Sequence, residues 1–494
     1  MFEKVLNKMK LFCIISTIVV TLFGSFNVAT AKNLPYETYN YDYWDDVVYT
    51  PAAYIPGDSI SGNDVGLEKD FSNPQDIYVA EDSLVYLCDT GNNQIVVLNH
   101  ELNKVIQIIS HFTNENGEEE AFNGPYGVCV TNQNYIYIAD SGNYRIVILD
   151  LANNNELVSI VEEPKSELLA DDFIFIPLKV SVDYANRLYV IVKGKTEGIM
   201  VFDEKGQFTG YTGTLPVTIS ALNKIWKRLS TKAQRKKQAL SIPTEFTGID
   251  IDEDGFVYGT NIDNDGVQAV RRINPKGEDV IKKGTNENVG GDVRVPMLGD
   301  YAGASYISDV VVRGKGIYSI LDSRRGRIFT YDHEGNLLYI FGGLGSQEGT
   351  FKSPVAIEEL DDKIIVLDSL RTEILLFTKT SYGSLINEAV GLRYDGDEAL
   401  AVEVWEQVLE LDSNFELAYV GIGKAYLSAG DNETAMKYLK LGKSREYYSI
   451  AFKRYRNEIL KENAGYFLTG IVVLMVAVKV VKVSRKRRKK GGFE

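Results

Sequence analysis

Gly124-Pro-Tyr-Gly-Val128-Cys-Val130, Tyr135-Ile-Tyr-Ile-Ala-Asp140-Ser-Gly-Asn143 and Arg145-Ile-Val-Ile-Leu149 follow one another along the chain. A Pro-led entry opens a first strand, a second strand of period two ends on Asp-Ser-Gly-Asn, and a third strand begins on Arg145. The β-branched and aromatic content and the alternation predict short strands joined by tight turns. The same order recurs upstream as Pro74 to Val79, Leu84 to Asn93 and Gln94 to Leu98. It recurs downstream from Pro177, with Val180-Ser-Val182 and Leu188-Tyr-Val190, and again at Ile249-Asp-Ile251 with Phe256-Val-Tyr258. Val310 to Val312 leads into Ile317 to Ile320, and Pro354 leads into Ile364 to Asp368. One such sheet cannot bury both of its faces. Six stacked radially can, so the repeat predicts a mainly β fold with a six-bladed β-propeller.

Asp89-Thr-Gly-Asn-Asn93-Gln-Ile95 and Asp140-Ser-Gly-Asn-Tyr-Arg145-Ile146 resemble the signature of NHL repeats, as does Gly342-Gly-Leu-Gly345-Ser-Gln-Glu-Gly349-Thr-Phe351-Lys-Ser-Pro354. The resemblance covers residues 52–383. It is weakest in blades three and four, and blade three carries Lys193-Gly-Lys-Thr-Glu-Gly198 where the Asp-Gly-Asn turn belongs. Blade six runs from Ile374-Leu-Leu-Phe377 almost directly into helical sequence and lacks a fourth strand of its own. Ala52 to Ile60 is expected to supply it and close the ring. The wide gap between the third and fourth entries predicts a helical insertion at 219–242.

After Gly383 the period changes from two to 3.6. Residues 385–412 and 419–446 superpose at a spacing of 34, with Ala389 over Gly423, Gly396 over Gly430 and Ala401 over Ala435. This pattern resembles tetratricopeptide (TPR) repeats, so residues 384–461 are expected to form a small TPR-like helical domain. The resemblance implies either a surface for a protein partner or a spacer ahead of the membrane.

The two ends predict export and anchoring. Lys4, Lys8 and Lys10, the apolar run Leu11 to Phe23, and Ala29-Thr-Ala31 read as a signal peptide over 1–31. Tyr466 to Val483 would span about 27 Å as a helix against a hydrocarbon core of ~30 Å, so 464–483 reads as a transmembrane helix. The tail 484–494, with Arg485-Lys-Arg-Arg-Lys-Lys490, is expected on the cytoplasmic side and the N-terminal bulk outside the cell. The whole chain carries −15, while residues 32–478 alone carry −24. Such a body repels nucleic acid. Cys88 and Cys129 admit two states outside the cell, a disulfide or two buried thiols.

No catalytic constellation is evident, and the chain is read as a binding scaffold rather than an enzyme. Lyase-like relatives of NHL propellers hold zinc on central histidines, whereas His100 and His333 fall in outer loops and turns and His111 is the only other histidine. Lactonase-like propellers hold a central calcium, which leaves a calcium-dependent enzyme of lactonase or lyase type as the alternative. Asp250-x-Asp252-x-Asp254-Gly255 lacks the Glu that an EF-hand needs at its twelfth position and reads as a strand entering a turn. Asn261-x-Asp263-x-Asp265-Gly266 lacks it too. No cofactor is assigned. Lys224, Trp226, Lys227, Arg228, Lys232, Arg235, Lys236 and Lys237 form a basic amphipathic stretch suited to an anionic membrane or an acidic partner. The segment 32–51, with its Tyr and Trp44, is expected to wrap the propeller, and it also has the composition of a carbohydrate or peptide contact.

Overall fold

The computed structural model describes residues 34–170, 172–214, 245–263, 268–284, 289–292 and 305–490. Met1–Pro35 separates as its own unit, and all that follows concerns Tyr36–Glu494. The expected signal peptide and the basic stretch at 219–242 lie outside the described residues.

Six antiparallel sheets surround a common axis. The innermost strands are Asp76–Val79, Pro125–Val130, Pro177–Val182, Phe246–Ile251, Ile307–Arg313 and Pro354–Leu360, one per blade. The Asp that ends the second strand explains the repeat signature. Asp89, Asp140, Asp322 and Asp368 are fully buried. Their carboxylates accept backbone N–H groups from the loop that precedes the inner strand: Ser72 at 2.7 Å, Asn123 at 2.8 Å, Tyr306 at 3.0 Å and Lys352 at 2.6 Å. Each carboxylate therefore staples the entry of its blade to the second strand through charge-assisted bonds. In blades one and two a Gly two residues later lets the loop come close: a Cβ on Gly142 would sit 2.5 Å from the Asn123 carbonyl oxygen. In blades three and four the staple position holds Val192 and Asn261. Asn261 is buried with neither end of its amide hydrogen-bonded, and only three strands of blade four are present among the described residues. The blades where the repeat fades are the ones that have lost the buried carboxylate.

The ring closes as the sequence predicts, with a small shift in bounds. Tyr54–Ser61 pairs antiparallel with Glu373–Lys379 as the outer strand of blade six. Tyr54 stacks on Phe341 at 4.7 Å between ring centroids, and its hydroxyl accepts from the buried Arg313 at 2.5 Å. Arg313 also reaches Glu359 at 2.8 Å and the Tyr339 hydroxyl at 3.0 Å.

Five α-helices follow among the described residues: α1 (Ser381–Asp395), α2 (Glu398–Leu411), α3 (Glu416–Ala429), α4 (Asn432–Leu441) and α5 (Arg445–Lys490). Gly396 and Gly430 end α1 and α3 in the left-handed region, with φ of 91° and 87°, as the spacing of 34 requires. The helices share one apolar core with the propeller, in which Ile386, Trp405 and Ile422 pack with Tyr54, Leu338 and Phe377. Polar ties reinforce it. Tyr339 donates to Asn387 at 2.8 Å, and Glu334 of blade five receives Arg393 at 3.2 Å and Lys424 at 2.8 Å. Despite burial, those two cations hold the Glu334 carboxyl down at about 2. The first helix of each hairpin thus bears on the propeller. α5 docks on the others through the buried Ala451 and an Asn432–Glu458 bond of 2.6 Å, then continues as exposed apolar helix. It is the one helix among the described residues long and apolar enough to cross a membrane.

Because the core is shared, Trp405→Ala should destabilise propeller and helices together by about 3–5 kcal/mol. Calorimetry of the full chain in detergent is expected to give one transition at a lower temperature. Two separate transitions, with the propeller unmoved, would show the helices to be an independent domain.

Candidate functional site

An inner strand of a propeller blade has one edge turned to the axis, and its backbone N–H groups need acceptors. This chain supplies carboxylates from the neighbouring blade. Asp76 of blade one accepts from Val128 N of blade two at 3.0 Å. Asp309 of blade five accepts from Ile357 N of blade six at 3.1 Å, and Asp250 of blade four from Val312 N of blade five at 2.6 Å. Asp76 and Asp309 occupy equivalent strand positions, paired with Cys88 and Leu321 on their second strands. The same position in blade three is Lys179, paired with Ile191. Its ammonium bonds Asp76 and lies 3.3 Å from Asp309, so one buried cation ties three alternate blades. Two residues further on, the strands of blades four and six carry Asp250 and Glu358. Glu358 accepts no hydrogen bond among the described residues.

Asp76, Tyr78, Lys179, Asp250, Asp309 and Glu358 line an axial cavity of about 20 Å³, room for about one water molecule. Four carboxyls face one ammonium in this space. Burial works against the Lys179 charge, but Asp309 and Asp76 outweigh it and keep the amine protonated. Burial pushes Asp309 up to about 6 despite Lys179, and pushes Asp250 up to about 7 despite the N–H groups it accepts. Burial and the nearby Asp250 raise Glu358 well above the ordinary carboxylate range.

The other sequence candidates lie elsewhere. His100 pairs with Asp361 at 2.8 Å, His111 with Glu119 at 3.0 Å, and His333 packs edge-on against Tyr394. Asp252 caps its own turn by accepting from Phe256 N at 2.8 Å, as the hairpin reading expects, but Asp250 of the same string faces the axis. The second Asn-Asp string falls partly outside the described residues. Cys88, on the second strand of blade one, and Cys129, on the inner strand of blade two, are buried free thiols that pack into two different apolar clusters. Among the described residues no group of three or more His, Cys, Asp or Glu is placed to hold a metal ion. Lys224, Trp226, Lys227, Arg228, Lys232, Arg235, Lys236 and Lys237 are not among the described residues.

A second concavity, about 130 Å³, lies where the Tyr-rich segment meets blade five and α3. The segment forms a hairpin, Tyr39–Tyr41 with Val47–Tyr49, that packs on blade five. The Tyr39 and Tyr41 hydroxyls both donate to Asp292, at 2.5 and 2.7 Å. Tyr41, Tyr43, Tyr331, Asn336, Phe415 and Glu416 line the concavity. The sequence leads one to expect this segment to wrap the propeller as an outer strand; it packs on blade five as a two-stranded hairpin instead, and the junction, which joins Tyr43 to Glu416 across 373 positions, carries no local signal.

The fold and its axis define a six-bladed β-propeller with a docked helical domain and one candidate membrane helix. Residues 122–149, the stretch that opens the sequence argument, match the family model for the NHL repeat. No curated protein matches the chain. Among solved structures, virginiamycin B lyase from Staphylococcus aureus aligns with a TM-score of 0.41 and 12% identity, over 66% of this chain and 100% of that one. A protein of unknown function from Bacteroides thetaiotaomicron aligns at 0.43 and 15%, over 68% and 78%. Hydrazine synthase from Kuenenia stuttgartiensis aligns at 0.38 and 10%, over 64% and 98%. At these scores none of the three bears on what this chain does.

Unfolded, the axial carboxyls ionise near pH 4; folded, Asp309 and Asp250 keep their protons until about 6 and 7. The folded state therefore binds more protons between those limits, and these groups lose stability as pH rises through them. The melting temperature should be higher at pH 5 than at pH 7.5, and Glu358→Gln should shrink that difference. An unchanged difference in the variant would place the pH dependence outside the axis.

Proposed function

We propose that this chain is a membrane-anchored binding protein whose propeller and helices act as one rigid body, and not a metal-dependent propeller enzyme. The observation that carries the reading is Lys179. A calcium site needs six to eight oxygen ligands gathered around an empty centre. Here the ammonium already stands between Asp76 and Asp309, whose carboxylates are further committed to backbone N–H groups. Asp250 accepts from Ile251 N and Val312 N, and the cavity beside it holds about one water. These residues do not fit a resident calcium, and no step of chemistry is routed through one.

The helices α1 to α4 are read as two TPR-like hairpins. Here α1 and α3 are both spent on blade five. That argues for a mount rather than a peptide receptor. Recognition is then left to the propeller and to the junction concavity, whose aromatic walls and Asn and Glu side chains suit a polar ligand or a partner side chain of protein or carbohydrate. The basic cluster Arg485–Lys490 at the C-terminal end of α5 favours a cytoplasmic C-terminus, with the bulk of the chain outside the cell membrane.

Dialysis of the full chain in detergent against calcium, followed by elemental analysis, tests the choice. The binding-protein reading expects no stoichiometric metal and no calcium-dependent rise in melting temperature. One calcium per chain would restore the enzyme reading. Protease treatment of intact cells should remove the propeller and spare the tail, and the reverse pattern would invert the topology.

A further inference from the structure

The turn Asp332–Gly335 is where blade five meets the helices, and it carries a histidine whose Nδ1 is buried without a hydrogen-bond partner. The His333 ring packs edge-on against Tyr394 of α1, at 5.2 Å between centroids and 82° between planes. The first turn of blade five closes the other side at Gly316, where a Cβ would stand 2.6 Å from the His333 Cβ and 2.8 Å from the Tyr394 ring. Charged groups face the ring from every element around it. Its own turn supplies Asp332 and Glu334, the segment after blade four supplies Lys282, and α1 supplies Arg393. Lys424 of α3 stands behind Glu334, and Lys315 of the first turn is paired with Asp395 of α1 at 2.8 Å. Both carboxylates of the histidine's own turn are committed elsewhere. Asp332 accepts from the backbone N–H groups of Glu334 and Asn336 and from the Asn336 amide, and Glu334 holds Arg393 and Lys424.

A neutral imidazole tolerates this place, because its buried nitrogen can stay a bare lone pair. A protonated one does not. Both nitrogens become donors, and a buried N–H without an acceptor shifts an equilibrium on the order of tenfold or more. Burial, and then Lys282 and Arg393, hold the ring below the usual histidine range against the pull of Asp332 and Glu334. The contribution of the neutral ring is therefore complete above about pH 6.5 and is lost as the pH falls through the lower folded value. Its sign is opposite to that of the axial carboxyls. We propose that His333 is a pH-sensitive latch: at neutral pH its uncharged ring seals the seam between blade five and α1, and in acid the charged ring loosens the helical mount from the propeller. The shared apolar core does not titrate, so acid changes how often the mount opens and not whether it is attached. The inference rests on reading propeller and helices as one rigid body.

Hydrogen exchange of the full chain in detergent, at pH 7.5 and pH 4.5 and corrected for intrinsic rates, tests it. In the wild type the amides of α1 and α3 should lose about tenfold protection at pH 4.5 relative to those of blade two. His333→Phe keeps an aromatic ring against Tyr394 without a charge, and there the loss should stay below about twofold. Equal losses in the two chains, or none in the wild type, would overturn the latch. A second readout leaves this site unchanged. In a chain with His100→Gln and His111→Gln, labelled at the histidine ring carbon, the one remaining resonance should titrate below about pH 6.5. A midpoint at or above that value would also overturn it. The rigid-body reading fails differently. If α1 and α3 exchange independently of blade five already at pH 7.5, that reading falls and the latch with it. If they exchange together with blade five at both pH values, the latch alone falls.

Discussion

A ring of six sheets is stable only if its last sheet is completed, and here the missing strand comes from the other end of the propeller sequence. Tyr54–Ser61 pairs with Glu373–Lys379, and everything downstream is built on that join. Arg313 is buried against the Tyr54 hydroxyl, Glu359 and Tyr339, so the closing strand, blade five and blade six share one charged knot. The helical domain starts one residue past the same strand pair. The Thr380 side chain donates to the Ala52 carbonyl at 2.6 Å and accepts from Gly383 N at 3.2 Å, capping α1. Gly383 is required there because a Cβ would run into the Ala53 carbonyl. Ring closure and helix docking are therefore one event in space.

The axis answers a second constraint of the same architecture. Inner strands leave N–H groups along a channel too narrow for bulk water, and buried donors left unpaired are costly. Carboxylates from adjacent blades satisfy them, which brings negative charge into a low-dielectric space. One lysine and retained protons offset that charge. This propeller fills its axis with its own ion pair.

Much of this was legible in the sequence where the cause is local. Asp140-Ser-Gly-Asn143 announces its turn because the carboxylate, the close-packed Gly and the left-handed residue after it act within a few positions. The fading of blades three and four was legible for the same reason, as Val192 and Asn261 cannot accept the entry N–H as a carboxylate does. Gly396 and Gly430 marked the helix ends. What was hidden is long-range. Asp76, Lys179 and Asp309 meet across 103 and 130 positions, and only aligning the six entry strands and comparing the second residue after each entry would have grouped them. Asp250 reads in sequence as part of a turn string because its neighbours Asp252 and Asp254 do, yet it lines the axis. Glu334 sits in an ordinary Asp-His-Glu-Gly turn, and nothing in that turn signals the two helix cations it receives.

The central claim is that the Lys179 ammonium is the cation this axis was built around. Urea unfolding of Lys179→Met, at pH 7.5 and pH 5 with and without calcium, tests it most directly. Removing one partner of a buried ion pair costs about 3–5 kcal/mol, and the loss should be smaller at pH 5, where protons can replace the ammonium. A variant as stable as the wild type at both pH values, or a wild-type chain stabilised by calcium, would contradict the account.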